Sequence, residues 1–77
     1  MPTLLLQDGF KFFFYANEHD PKHIHVQKAG EFVKIELVTL RAVNNHMKPK
    51  ELKKALLIVE ENQGDFERRW DEYFNQR

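Results

Sequence analysis

The chain has no cysteine, which rules out disulfides and thiolate metal sites and leaves the core to be held by packing alone. Neither sign of charge is in excess: twelve basic and twelve acidic residues cancel. A global field that draws the chain to nucleic acid is therefore excluded, and any such attraction needs a local basic patch. No stretch approaches the roughly 18 apolar residues of a membrane span. Leu4-Leu5-Leu6 follows Met1-Pro2-Thr3 without the basic flank or length of a signal peptide. A cytoplasmic protein with no membrane contact is expected. Glycine and proline are also sparse, at three each, so each one marks a break in structure.

The 77 residues form one domain, 1–77, and a chain this short buries only about 60 to 65% of its unfolded surface. Aromatics make up 13% of the chain, with seven Phe among them. The apolar content thus sits in large side chains that bury much area each.

Short aromatic and aliphatic runs, Leu4 to Leu6 and Phe10 to Tyr15, flank Gln7-Asp8-Gly9, and Asp-Gly is a strong hairpin signal. With Asp8 and Gly9 as the turn, Leu6 faces Lys11, Leu5 faces Phe12 and Leu4 faces Phe13. The second strand is apolar on both faces, which calls for cover on both sides or for a partner. After Pro21, residues His23 to Lys28 alternate, with Ile24 and Val26 on one face and His23, His25 and Gln27 on the other. Ala29-Gly30 is a turn, and Glu31 to Val38 alternate again, with Val33, Ile35 and Leu37 opposed to Phe32, Lys34 and Glu36. If the turn holds only those two residues, Ile24 faces Ile35, Val26 faces Val33, His25 faces Lys34 and His23 faces Glu36. Alanine disfavours the positive φ of a type I′ turn, so a bulge that shifts this register by one is the alternative.

Residues Thr39 to Lys48 read as a connector with a short strand or turn around Leu40 to Val43. Pro49 suits a helix start, and Leu52, Ala55, Leu56 and Val59 follow the spacing of a buried stripe. This helix is expected over Pro49 to Gln63, with Gly64 just past its end. Asp65 then caps a second helix whose apolar face is Phe66, Trp70, Tyr73 and Phe74. The expected fold is α+β, with about four antiparallel strands followed by two C-terminal helices packed on one face.

The segment Asn17-Glu18-His19-Asp20-Pro21-Lys22-His23-Ile24-His25-Val26 holds three of the four histidines. Histidine titrates near neutrality, so such a cluster offers proton transfer, metal binding or a pH response. A structural reading has the histidines bonded to backbone in a Pro-containing turn, with His23 paired to Glu36 across the strands. A metal reading takes His23 and His25 as ligands of a divalent ion such as zinc, with His19 or Glu18 folding back as the third. An acid–base reading gives His19, His23 and His25 to metal-independent RNA cleavage, with Lys34 or Arg41 holding the phosphate. Phe12, Phe14 and Phe32 are then candidates to stack bases.

Lys48, Lys50, Lys53 and Lys54 crowd the first helix's positive end while Glu60 and Glu61 sit at its negative end, which opposes the macrodipole. Two accounts stay open. Either a phosphate or acidic partner binds at that N-terminus, or the lysines form a solvated face with Glu51–Lys54 support.

The order Glu18-His19-x-Pro21-x-His23-x-His25-Val26, together with Gly9-Phe10-Lys11-Phe12-Phe13-Phe14-Tyr15 and Trp70-x-x-Tyr73-Phe74, resembles the bacterial "domain of unknown function 4160" family over nearly the whole chain. Members of that family often have a second proline where this chain has Lys22. They are commonly stand-alone small proteins encoded beside a second small domain, like one half of a toxin–antitoxin pair. The resemblance implies a protein partner encoded next to this one. The two apolar faces of the second strand also fit association with a second copy. The function expected is protein–protein interaction in such a pair, with the histidine loop as functional surface. The alternatives are a histidine-dependent ribonuclease or phosphodiesterase, and a histidine-based metal-binding domain.

Overall fold

Asp8 and Gly9 turn the chain with φ of +54° and +84°, the two positive values of a type I′ hairpin. In the computed structural model, which describes residues 3–19 and 21–74, this turn joins β1 (Thr3–Gln7) to β2 (Phe10–Phe13). Leu6 pairs with Lys11 and Leu5 with Phe12, but Thr3 and not Leu4 stands opposite Phe13. The register shifts between Thr3 and Leu5, so Leu4 leaves the ladder. Both Leu4 and Leu5 then pack against the core, which strict alternation forbids to neighbours.

The hairpin of β3 (His23–Lys28) and β4 (Glu31–Glu36) has the expected pairing at all six positions, His23 opposite Glu36 and His25 opposite Lys34. Ala29 adopts φ +50° and Gly30 +84°, so the two-residue turn forms without a bulge. An alanine in the left-handed region costs about 1 to 2 kcal/mol, which the six aligned pairs outweigh. A fifth strand, β5 (Ala42–Val43), adds itself beyond β4 within the expected connector. The sheet is an antiparallel meander in the order β1-β2-β3-β4-β5.

Two helices follow, α1 (Pro49–Glu61) and α2 (Gln63–Phe74). The break lies at Asn62, not at Gly64. The Asn62 amide donates to the Ile58 carbonyl at 2.8 Å, and the Asn62 carbonyl accepts from the Phe66 N–H at 2.8 Å, so one residue closes α1 and opens α2. Gly64 and Asp65 fall in the first turn of α2.

Both helices cover one face of the sheet. Phe10, Phe12, Phe14, Ile24, Val26 and Val33 bury there against Ala55, Ile58, Val59, Phe66 and Trp70. The α1 stripe includes Ile58 in addition to Ala55 and Val59, with Leu52 and Leu56 at its margin. Of the aromatic face of α2, Phe66 and Trp70 are core while Tyr73 is 43% exposed. Phe14 meets Trp70 edge-on with ring centres 5.2 Å apart.

The inverted charges of α1 have an intramolecular answer. Glu31 of β4 accepts the Lys48 N–H at 3.2 Å, and Glu51 lies in the first turn, so two carboxylates already face the positive end. Glu51 pairs with Lys28 at 3.3 Å and not with the expected Lys54. Lys48, Lys50, Lys53 and Lys54 are exposed, as a solvated face requires.

Candidate functional site

Alternation along β3 turns His23 and His25 to the face opposite Ile24 and Val26, with His23 at the strand's start where Trp70 of α2 still reaches its ring, and a loop from β2 brings a carboxylate to them. That loop is pinned at both ends. Buried Phe14 anchors its start, and at its finish the Lys22 carbonyl accepts the Leu37 N–H at 2.9 Å while Lys22 Nζ meets Asp71 of α2 at 2.9 Å. Between them the Tyr15 N–H donates to Glu18 Oε2 at 3.1 Å, which folds Glu18 back over β3.

Glu18 bridges the two imidazoles. Its Oε1 is 2.8 Å from His23 Nε2 and its Oε2 is 2.8 Å from His25 Nε2. His23 Nδ1 donates to the Pro21 carbonyl at 2.8 Å, because that oxygen can only accept, and this fixes the ring. Packing against Trp70, at 5.0 Å between ring centres, holds it further and leaves His23 6% exposed. The His25 ring stacks on Phe13 at 5.6 Å and meets Tyr15 edge-on at 4.4 Å. His25 Nε2 is cut off from solvent, and despite its closeness to Glu18 it has no partner with hydrogen-bond alignment among the described residues. The ligand atoms of Glu18, His23 and His25 all lie within 4.8 Å of one another.

The electrostatics favour a carboxylate beside a neutral ring. Burial lowers the His25 pKa from its ordinary value, and the charges of His23 and Lys34 act the same way, against a smaller opposing pull from Glu18. For Glu18, burial opposes ionisation. The Tyr15 N–H, the His23 bond and the charges of both histidines together outweigh it and hold its pKa low.

The other expected residues divide. Lys34 stands across from His25 and makes no ion pair among the described residues. His19 is exposed and does not join the cluster. Arg41 is exposed, two strands from β3, with its carbonyl bonded to the Glu36 N–H at 2.9 Å. The expected His23–Glu36 pair does not form, because His23 turns to Glu18 and Glu36 accepts from Thr39 at 3.2 Å. Lys48, Lys50, Lys53 and Lys54 belong to the other end of the hairpin, since α1 docks at Lys28 and Glu31. The rise of β3 puts that end about 17 Å from His23. Those lysines cannot hold a group bound at the histidines.

Phe12 and Phe14 are fully buried beneath the helices, whereas Phe32 lies on the opposite face and is 50% exposed. The three therefore form no common stacking surface. On the open face stand buried Phe13 and half-exposed Tyr15, and parity from β2 onward was the signal: Lys11, Phe13 and Tyr15 alternate with Phe10, Phe12 and Phe14. With His25, Phe32, Lys34 and Asn44 they line a groove of about 330 Å³ beside the histidines. The His46 ring packs at a tilt on Phe32, 4.5 Å between ring centres, and extends this aromatic face.

Residues 9–71 match the model of a family described as Domain of unknown function (DUF4160). No curated protein and no solved structure gives a significant match to the chain.

Proposed function

The chain belongs to the DUF4160 family, and we propose that its fold serves to bind a divalent metal ion through Glu18, His23 and His25. The observation that carries this reading is the convergence of ligand atoms from Glu18, His23 and His25 within 4.8 Å of one another, with His25 Nε2 shut away from water, 2.8 Å from a carboxylate oxygen and aligned with no hydrogen-bond partner among the described residues. A nitrogen and a carboxylate oxygen set that close in a buried place are positioned to share a cation. The His23–Pro21 bond supports the same reading, because a backbone carbonyl on Nδ1–H fixes the ring so that Nε2 points at Glu18, where an ion would take the place of the proton between them. A neutral His25 and an ionised Glu18 are the protonation states a metal needs.

Two imidazole nitrogens and one carboxylate oxygen suit zinc, which in three-ligand sites keeps a fourth position for water or substrate. Bound there, such an ion supplies Lewis acidity and a lowered pKa for its water. The residues hold it on the groove side of the sheet, beside Lys34.

Protein prepared without an affinity tag and titrated with zinc by calorimetry tests this. One equivalent is expected to bind, and His25→Gln or Glu18→Gln should each weaken binding by about 100-fold or more, beyond the 10- to 100-fold typical of indirect contacts. Zinc that binds the variants as well as the parent refutes the site.

The second reading keeps the expected protein partner, as one half of a toxin–antitoxin-like pair. Its support is Leu6, 72% exposed on the uncovered side, with Tyr15 and Phe32 also bare. Co-expression with the neighbouring reading frame and size-exclusion chromatography tests it. Separate elution of the two products refutes it.

A further inference from the structure

The groove beside the histidines has features that metal binding alone does not use. Its walls are aromatic: Phe13, Tyr15, His25 and Phe32, with Tyr15 and Phe32 49% and 50% exposed. Rings left half bare on a sheet face offer a planar group something to stack on. Gln27 and Asn44 add amides, whose paired donor and acceptor match the edge of a heterocycle.

Among the described residues the charged side chain that lines the groove is Lys34, which makes no ion pair there, and Lys11 Nζ lies 5.3 Å from the centre of the neighbouring Phe13 ring. Glu18 meets His25 but is engaged by the two imidazoles and does not line the groove. The chain as a whole is neutral, so this local excess is a property of the site. An anion is called for. At about 330 Å³ the groove is at the small end of ligand sites, which run from roughly 300 to 1,000 Å³. It has room for one planar group with one small anion attached.

We infer that the groove takes a single mononucleotide, with its base stacked on Phe32 and its phosphate drawn to Lys34 and to the ion held by Glu18, His23 and His25. The phosphate's second anchor rests on the metal site proposed above. The stacking half stands on the groove itself. His25 links the two, since the same ring lines the groove and contributes to the cluster.

Calorimetric titration of the zinc-loaded protein with adenosine 5′-monophosphate, adenosine and inorganic phosphate tests the assignment. Binding of the monophosphate in the micromolar to low millimolar range is expected, at least about tenfold tighter than either fragment. Phe32→Ala and Lys34→Gln should each weaken it about fivefold or more, by loss of a stacking surface or of a charge, with zinc affinity not reduced in either. Phe32 is half exposed, so its truncation leaves the fold intact, as circular dichroism will confirm.

Equal affinity for the monophosphate and for phosphate assigns the binding to the ion and overturns the groove. Absence of binding in the millimolar range overturns it too. If zinc does not bind, the metal reading fails separately. Monophosphate binding to the metal-free protein with the same Phe32 and Lys34 dependence then upholds the groove, and its absence refutes it.

Discussion

The two faces of this sheet are made from alternate residues of the same strands, and they have opposite chemistry. On the covered face Phe12, Ile24, Val26 and Ile35 are fully buried, with no polar side chain among them. On the open face their neighbours are Phe13, His25, Phe32 and Lys34, a mixture of rings, a cation and a titratable group. The covered face buries area and so contributes most of the stability. The open face buries less, since Phe13 and His23 are covered there but Phe32 is half exposed, and it holds the candidate site. His23 belongs to both, since its ring packs on Trp70 while its Nε2 meets Glu18.

Truncation at matched positions breaks or sharpens this contrast most directly. Phe12→Ala should cost about 3 to 5 kcal/mol, enough to unfold much of a domain this small. Phe32→Ala should stay within about 0.5 kcal/mol. Thermal melts followed by circular dichroism compare them, and equal losses would mean that the open face is covered in solution.

Zinc comes next in size. At a free concentration 100 times its dissociation constant it should stabilise the parent by about 2.7 kcal/mol and raise its Tm. The effect should vanish in Glu18→Gln. An equal rise in that variant would place the ion elsewhere.

Acid should act through the open face. In metal-free protein, burial holds His25 below its ordinary pKa, so as pH falls through about 6.5 the unfolded chain takes up a proton that the folded chain refuses. Stability therefore declines from there downward. The low pKa of Glu18 stabilises the fold above the ordinary carboxylate value, about 4.3, and that contribution is lost below it. Melts in a pH series read both, and His25→Gln should flatten the upper part of the decline.

The smallest effect concerns the turn that closes β3, the strand that carries His23 and His25, onto β4. Ala29→Gly removes a left-handed alanine and should stabilise the hairpin by up to about 1 kcal/mol, visible as a higher Tm.

Some of this was legible in the sequence. The β3–β4 register followed from period-two alternation closed by a two-residue turn, because a slip of one residue would have moved every apolar side chain to the wrong face. The α+β order and the helix start at Pro49 were equally plain. The break at Asn62 was not, since Gly64 is the stronger local stop signal and only the bonds of Asn62 to Ile58 and Phe66 show which residue turns the chain. Nor was the loss of Leu4 from the ladder, which depends on core space that two adjacent leucines can both fill.

The site shows the same division. That His23 and His25 share a face is a property of β3 alone. Glu18 was one of two candidates to join them, and the choice between it and His19 was made by the loop, through buried Phe14, the Tyr15 N–H and the ties of Lys22 to Leu37 and Asp71. The sequence alone determined which residues alternate, and so which chemistry lies on which side of each strand, because side-chain direction in a strand is local. Which side the helices would cover, and which acidic group would reach the histidines, only the tertiary structure decided, because both depend on contacts between segments far apart in the chain.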